Sequence, residues 1–134
     1  MLPGYPRPVW ALDSNGLVNA GDIGAVIATG SHGGLLGGRP ETAVKQPVFG
    51  ALYNDAGIGV DEAGVSRLPA LDARGIAGAT VSAMSARIGE GRSTAADGVL
   101  SRVNATAARL GLREGMPARE ALMILAKAAA ASVR

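Results

Sequence analysis

The strongest local pattern in this chain lies in residues 25–38, AVIATGSHGGLLGG. The stretch begins with four apolar residues and ends in a loop that holds five glycines and the only histidine of the protein, His32. A short apolar run that leads directly into a glycine-rich turn is typical of a buried strand in an open α/β sheet. Folds of this kind bind ligands at the edge where the parallel strands end, so this loop is the first candidate site.

The composition is that of one ordinary globular domain. The chain has 134 residues, of which 48% are hydrophobic and 18% are charged, and its net charge is +2. Since there is one Trp, one Phe and two Tyr, we expect a closely packed aliphatic core. The basic residues are scattered and have no aromatic residues between them, which argues against a nucleic-acid partner.

Three features that the sequence lacks indicate the cellular compartment. The chain has no cysteine, which excludes a disulfide framework and thiolate metal ligands and fits a reducing compartment. No segment approaches the roughly 20 apolar residues of a membrane span, and the proline-rich start has no signal-peptide core. We therefore expect a cytoplasmic protein without a membrane contact, a bound metal or a cofactor.

A sequence of strand, glycine-bearing loop and helix recurs along the chain. Strands are predicted at residues 24–29, 47–53 and 76–83, and a shorter one at residues 9–12. Helices are predicted at residues 61–74, with a kink or a late start at Pro69, then at residues 93–110 and 117–131. Pro40 is expected to open a further brief helix, and Asn19 or Asp22 to start a single turn.

This alternation predicts an α/β fold with right-handed crossovers. We expect a small three-layer domain with a parallel sheet of three to four strands and helices on both faces, Rossmann-like or flavodoxin-like. Residues 1–134 are expected to form a single domain, in which residues 1–8 are an extended arm because proline prevents regular pairing there. The last helix is rich in alanine and strongly apolar, which indicates a contact in a homo-oligomer.

The loops after the predicted strands share one edge of such a sheet, which gathers a set of polar residues and glycines there. Successive backbone N–H groups of Gly33 and Gly34 are expected to bind an anion, and the guanidinium of Arg87 a carboxylate or phosphate. Arg92 is a weaker candidate for the same role. The predicted ligand-binding residues are Thr29, Ser31, Gly33, Gly34, Asn54, Ser85 and Arg87.

Proton transfer, if any, is assigned to His32, because histidine is the residue type whose ordinary pKa lies nearest to neutrality. Asp55 is expected to orient it or to act as a base. Ser31 is a poor nucleophile candidate because the first glycine of the hydrolase G-x-S-x-G turn is replaced by Thr29. Each assignment has a structural alternative. The glycines can simply form a tight turn, the histidine can stabilise it, Asp55 can cap its own turn, and Arg87 can form a surface ion pair.

The glycine-rich loop matches neither of the common nucleotide-binding motifs. No Gly-Lys-Ser/Thr follows it, as a Walker loop requires, and GSHGGLLGG lacks the G-x-G-x-x-G spacing of the dinucleotide fingerprint. Three segments, TGSHGG (29–34), YNDAGIGVDEAG (53–64) and SARIGEG (85–91), instead resemble a family of small bacterial α/β proteins of unassigned activity. The resemblance covers residues 24–115 and implies no particular chemistry.

Two interpretations of function follow from these residues. The first is an enzyme of hydrolase, lyase or isomerase type that acts on a small polar or anionic metabolite at the carboxyl edge of the sheet. The alternative is a non-catalytic ligand-binding protein or a subunit of a larger complex, in which His32 only donates a hydrogen bond. Catalysis requires His32 and Asp55 within hydrogen-bond reach, directly or through a water, whereas binding requires only inward-facing donors.

Overall fold

The computed structural model of the protein describes residues 2–35, 39 and 43–132. The strands in this part of the chain are β1 (Val9–Leu12), β2 (Val26–His32), β3 (Gly50–Asn54), β4 (Ala77–Val81) and β5 (Leu100–Val103). The α-helices there are α1 (Arg67–Ala73), α2 (Gly91–Asp97), α3 (Ala105–Leu110) and α4 (Ala118–Ser132). Short 3-10 turns occupy Asn15–Leu17, Ala20–Asp22 and Val60–Val65.

The five strands form one sheet in the order β1-β2-β3-β4-β5. The first four strands are parallel and β5 pairs antiparallel with β4. The predicted α/β class is confirmed, with one strand more than the expected maximum and one antiparallel edge. The strand order follows the chain, so the sheet lacks the order reversal at which Rossmann-like and flavodoxin-like folds place a ligand.

The apolar residues of the strands alternate between two hydrophobic clusters. Val26 and Ala28 belong to the first cluster, together with residues of α2, α3 and α4. Ile27, between them in sequence, belongs to the second, together with residues of α1 and of the segment 43–48. Because successive side chains of a strand point to opposite faces, the two clusters lie on opposite faces of the sheet. Both faces are therefore buried, as the continuously apolar strands indicate; the full three-layer arrangement stays a prediction.

The helix predicted over residues 93–110 is wrong, because the chain there forms α2, β5 and α3 in succession. A side chain at Gly98 would come within 3.0 Å of Thr94 and Val81, which shows how closely the chain turns against β4. Asn104 then starts α3, since its Oδ1 accepts hydrogen bonds from the N–H groups of Gly78 and Ala107. Apolar residues three and four apart satisfied a helical pattern that a strand followed by a short helix satisfies equally well.

Most other element boundaries shift by a few residues from the prediction. β2 continues to His32, so that Gly30 and Ser31 lie in the strand and not in the loop. The pairing of β2 with β3 has a register irregularity between Ala28 and His32. α1 begins late, with Pro69 in its first turn, as predicted. The brief helix expected at Pro40 lies outside the described residues.

The two ends of the chain pack on the first cluster. Residues 2–8 have no regular structure, and the arm folds back so that the N–H of Leu2 donates to the carbonyl of Val9 at 2.8 Å. In α4, Leu122 and Leu125 are fully buried in the core of their own chain. The homo-oligomer expected from the apolar character of this helix stays a prediction. Among the described residues, no helix is long and apolar enough to cross a membrane.

Asp72 joins the end of α1 to the beginning of α3, and this contact predicts a dependence of stability on pH. Its carboxylate accepts hydrogen bonds from the backbone and hydroxyl of Thr106 and from the backbone of Ala105. Burial raises the pKa of Asp72, but these hydrogen bonds together with Arg109 outweigh burial and hold the pKa below its ordinary value. Such a group stabilises the fold above its unfolded pKa of about 3.9 and loses that contribution as the pH falls through the folded pKa.

We therefore expect acid to destabilise the wild-type protein more than the Asp72→Asn variant. The loss of unfolding free energy in acid is expected to differ between the two proteins below about pH 4. The difference should stay under about 1 kcal/mol, because the carboxylate is close to solvent. Urea unfolding of both proteins between neutral pH and about pH 3 measures it. Parallel pH profiles of the two proteins would contradict the assigned role.

Candidate functional site

A cleft of about 720 Å³ opens at the carboxyl edge of the sheet, where the chain leaves β3 and β4. The loop after β3 (residues 55–59), the loop after β4 (residues 82–90) and one face of α2 form its walls. We call it the edge cleft. Its lining residues are Asn54, Ala56, Ala83, Met84, Ser85, Ala86, Arg87, Ile88, Ser93 and Asp97.

Three of the predicted ligand-binding residues line the edge cleft, namely Asn54, Ser85 and Arg87. The amide of Asn54 is fully buried and donates to the carbonyl of Ala86 while it accepts from the N–H of Ala56. The hydroxyl of Ser85 donates to the carbonyl of Ser82 at 2.8 Å. Asn54 and Ser85 therefore brace the cleft walls, whereas the side chain of Arg87 is 83% exposed.

The backbone amides predicted to bind an anion are used within the protein. The N–H of Gly33 donates to the carbonyl of Asn54 at 2.7 Å, and the N–H of Gly34 donates to Nδ1 of His32 at 3.0 Å. A Cβ at either glycine would lie closer than 3.0 Å to a backbone carbonyl oxygen, that of Gly64 or of Ala63. These glycines thus allow two backbone segments to pack closely, which favours the tight-turn interpretation over the anion-binding one.

The two hydroxyl side chains of β2 also contact backbone rather than the edge cleft. Thr29 is fully buried and its hydroxyl donates to the carbonyl of Leu52 at 3.1 Å. The hydroxyl of Ser31 accepts a hydrogen bond from the N–H of Asn15 at 2.7 Å. Both residues therefore connect β2 to neighbouring segments, and neither lines the cleft.

The two predicted catalytic residues lie near each other in the sheet, since His32 pairs with Asn54, but no hydrogen bond between the described His32 and Asp55 is present. His32 is half-buried, and because Nδ1 accepts from Gly34, the neutral ring carries its proton on Nε2. Asp55 is buried, and its Oδ1 accepts from the N–H groups of Gly57 at 2.8 Å and Ala83 at 2.9 Å. Within residues 2–35, 39 and 43–132, no hydrogen bond or ion pair joins His32 to a carboxylate.

The loop that follows Asp55 has an unusual backbone. Four consecutive residues have a positive φ, namely Ala56 at 51°, Gly57 at 79°, Ile58 at 69° and Gly59 at 76°. For a residue with a Cβ this conformation costs roughly 1–2 kcal/mol, and it persists only where the surroundings enforce it. Here Asn54 and Asp55 enforce it by accepting the N–H groups of the residues that follow them. Strained backbone of this kind concentrates at functional sites.

The edge cleft combines a cation with exposed apolar side chains. Arg87 pairs with Glu90 at 3.8 Å, and because both side chains are more than half exposed the pair contributes little. Met84 is 98% exposed and Ile88 is 55% exposed on the same loop. Asp97 accepts a hydrogen bond from the hydroxyl of Ser93 at 3.0 Å. The cleft thus offers a guanidinium, apolar surface and few groups that could exchange a proton.

Arg67, which the sequence did not indicate, is a buried cation behind the glycine-rich segment. It is 2% exposed, and it donates to the carbonyls of His32 at 3.0 Å and Ala43 at 2.8 Å. Its guanidinium also lies 5.2 Å from the centroid of the Tyr53 ring. Burial lowers the pKa of Arg67 and raises that of Tyr53. In sequence Arg67 lies within the predicted helix 61–74, where an arginine is usually solvated, so no local pattern signals its burial.

Together these features define an α/β protein with an open cleft at its sheet edge. In the described part of the chain no group of three or more histidine or acidic residues is arranged to hold a metal ion. A scan with protein-family models gives no match, and searches of curated proteins and of solved structures give none either. The family resemblance of the three loop segments stays a prediction, and the function is inferred from the site.

Proposed function

We propose that this protein binds a small polar metabolite with an anionic group in the edge cleft and does not transform it. The observation that carries the proposal is the position of Arg87. It is the one cation among the described residues that line the cleft, and its side chain is 83% exposed, with a solvent-exposed ion pair to Glu90 that contributes little. A carboxylate or phosphate forms paired hydrogen bonds with such a group, which are stronger than bonds between neutral partners.

The rest of the cleft suits the body of such a ligand. Met84 and Ile88 provide apolar contact surface beside Arg87, and Ser93 provides a hydroxyl. The volume of about 720 Å³ lies within the usual range of small-molecule sites, about 300–1,000 Å³. A ligand that bridges the loops after β3 and β4 would also cover the exposed side chain of Met84.

The geometry around His32 and Asp55 supports binding rather than catalysis. His32 does not line the edge cleft, and its Nδ1 is engaged by the backbone of Gly34. One oxygen of Asp55 accepts hydrogen bonds from two backbone N–H groups, which is typical of a carboxylate with a structural role. Of the described lining residues, Asp97 is the one carboxylate, and it accepts a hydrogen bond from the hydroxyl of Ser93. The non-catalytic interpretation is therefore the better supported of the two.

A thermal-shift screen with phosphorylated and carboxylated metabolites tests the proposal on the wild type and on Arg87→Gln. A compound present at about 100 times its Kd is expected to stabilise the wild type by about 2.7 kcal/mol. Loss of a charged hydrogen bond costs about 1.5–3 kcal/mol, so Arg87→Gln should weaken binding by about 10- to 100-fold.

Two further variants control this experiment. Arg113→Gln removes the same charge at an exposed position outside the cleft, and His32→Ala removes the predicted proton carrier. Both are expected to bind like the wild type, and no compound should be consumed. Binding that Arg87→Gln leaves unchanged, or a screen without any stabilising compound, would refute the proposal. Turnover that His32→Ala abolishes would instead establish the enzyme.

A further inference from the structure

A second cavity, of about 470 Å³, lies between the N-terminal arm and the helices α2 and α4. We call it the arm pocket. The arm pocket and the edge cleft have no described lining residue in common. Its walls are formed by Leu2, Pro3, Tyr5, Ala11, Arg92, Ala95, Ala96 and Arg119.

Among the described residues that line the arm pocket, two carry a positive charge and none carries a negative charge. Arg92 comes from α2 and Arg119 from α4, so two separate helices place a guanidinium at the same cavity. Neither side chain makes a hydrogen bond or an ion pair with any residue of the described ranges. Two like charges at one cavity repel each other, and an anion placed between them turns that repulsion into attraction.

The other described side chains that line the arm pocket are apolar, apart from the phenol of Tyr5. Ala95 belongs to the first hydrophobic cluster, and Leu2 and Tyr5 pack against that cluster from the arm. Burial raises the pKa of Tyr5, although the nearby guanidinium of Arg119 lowers it, so the phenol keeps its proton at neutral pH. The phenol can therefore donate a hydrogen bond to the anionic group that Arg119 would attract.

The arm wall is preformed. The hydrogen bond from the N–H of Leu2 to the carbonyl of Val9 closes the arm into a loop, and its prolines restrict the backbone further. Arg7 adds a third guanidinium on the same arm, beside a smaller adjoining cavity of about 230 Å³. Its Nε is shielded from solvent and has no hydrogen-bond partner among the described residues. A preformed wall lowers the entropic cost of binding.

We propose that the arm pocket is a second ligand site, for an amphipathic organic anion. One carboxylate or phosphate group would contact Arg92 and Arg119, and an apolar chain or ring would lie against Leu2 and the alanines of α2. This site is independent of the proposed function, because the described linings of the two cavities do not overlap.

An NMR titration of the full chain tests this site with four probes. Octanoate and octyl phosphate carry both an anionic group and an apolar chain, inorganic phosphate carries only the charge, and 1-hexanol only the chain. Octanoate or octyl phosphate is expected to shift the backbone amide signals of Ala95 and Ala96 saturably, at least tenfold more tightly than the other two probes. The tighter of the two amphipathic probes identifies the headgroup.

The test compares a double variant, which carries both Arg92→Gln and Arg119→Gln, with the two single variants. The control is Arg113→Gln, which removes an exposed arginine outside both cavities. Octanoate binding should weaken at least about 30-fold in the double variant, less in each single variant, and not at all in Arg113→Gln. Unchanged binding in the double variant, equal binding of inorganic phosphate, shifts confined to residues 83–88, or no shift in the wild type would each overturn the proposal. Unchanged amide signals away from the pocket verify that each variant is folded.

Discussion

Replacing Gly64 with alanine is expected to destabilise the protein by at least about 4 kcal/mol. Gly64 is buried, and a Cβ there would lie far inside 3.0 Å of the carbonyl oxygen of Asp55 and about 3.0 Å from Cα of Ile58. Both neighbours are backbone atoms of the left-handed loop after β3, so no side-chain rotation can relieve the clash. Overpacking usually costs 1–3 kcal/mol, and a clash that only backbone movement resolves belongs to the exceptional larger class.

Urea unfolding of Gly64→Ala and of a matched Gly16→Ala variant measures this effect. The nearest atom to a Cβ at Gly16 is the hydroxyl oxygen of Ser14 at 3.4 Å, which is an ordinary contact. Gly16→Ala is therefore expected to change the free energy of unfolding by less than about 1 kcal/mol in either direction. If the two variants unfold at the same urea concentration, the close approach of the Gly64 backbone to the loop does not exist.

The class of fold was predictable because a strand that is buried on both faces of a sheet has a continuous run of apolar residues in its sequence. The runs around Val26 and Leu52 are apolar without alternation, and both became central parallel strands. The sequence of β5 contains no such apolar run. This strand lies at an edge of the sheet with three of its four residues only half-buried, so its sequence has neither a continuous apolar run nor a clear alternation. Edge strands are recognised by their partners rather than by their own residues.

The position of the edge cleft could be predicted from the sequence as far as the sheet edge, but the use of its single groups could not. Arg87 lines the cleft, where an arginine that follows a parallel strand is expected, and its role in binding stays a prediction. The sequence does not distinguish a glycine whose N–H is open to an anion from a glycine that lets a second backbone segment approach, as at Gly33 and Gly34. Their N–H groups turn out to be bonded within the chain. The burial of Arg67 depends on long-range contacts with the carbonyls of His32 and Ala43, which no local pattern encodes.

Gly30 and Gly33, from the stretch 25–38, have the same structural role: each allows a second backbone segment to pack closely against β2. Gly30 lies against the backbone of Gly89 and Glu90, and its carbonyl accepts the N–H of Gly89 at 2.7 Å. Gly33 lies against the backbone of Gly64 in the same way. The end of β2 thus makes close backbone contact with the 3-10 turn Val60–Val65 and with the loop after β4. Because the loop after β4 forms a wall of the edge cleft, these glycines can be needed for the shape of the cleft without binding a ligand.

Asp55 holds those two loops together, and Asp55→Ala is expected to cost about 3 kcal/mol of stability and to open the edge cleft. Its Oδ1 accepts one N–H from the loop after β3, at Gly57, and one from the loop after β4, at Ala83. Hydrogen bonds to a charged acceptor contribute about 1.5–3 kcal/mol each. Without them the positive-φ run from Ala56 loses one of its restraints, and Ala83 loses its anchor in the cleft wall.

The comparison with Asp55→Asn separates this positioning role from a catalytic one. The amide oxygen of asparagine can still accept both N–H groups, as a weaker neutral acceptor, so a loss of only about 1 kcal/mol is expected. Urea unfolding measures the stability of both variants, and hydrogen exchange at the amide of Ala83 should be fast in Asp55→Ala and close to wild type in Asp55→Asn. An Asp55→Ala protein with wild-type stability and a protected Ala83 amide would show that Asp55 does not hold the loops. A catalytic base would instead be revealed by a loss of turnover in Asp55→Asn, because asparagine preserves the two hydrogen bonds and cannot act as the base.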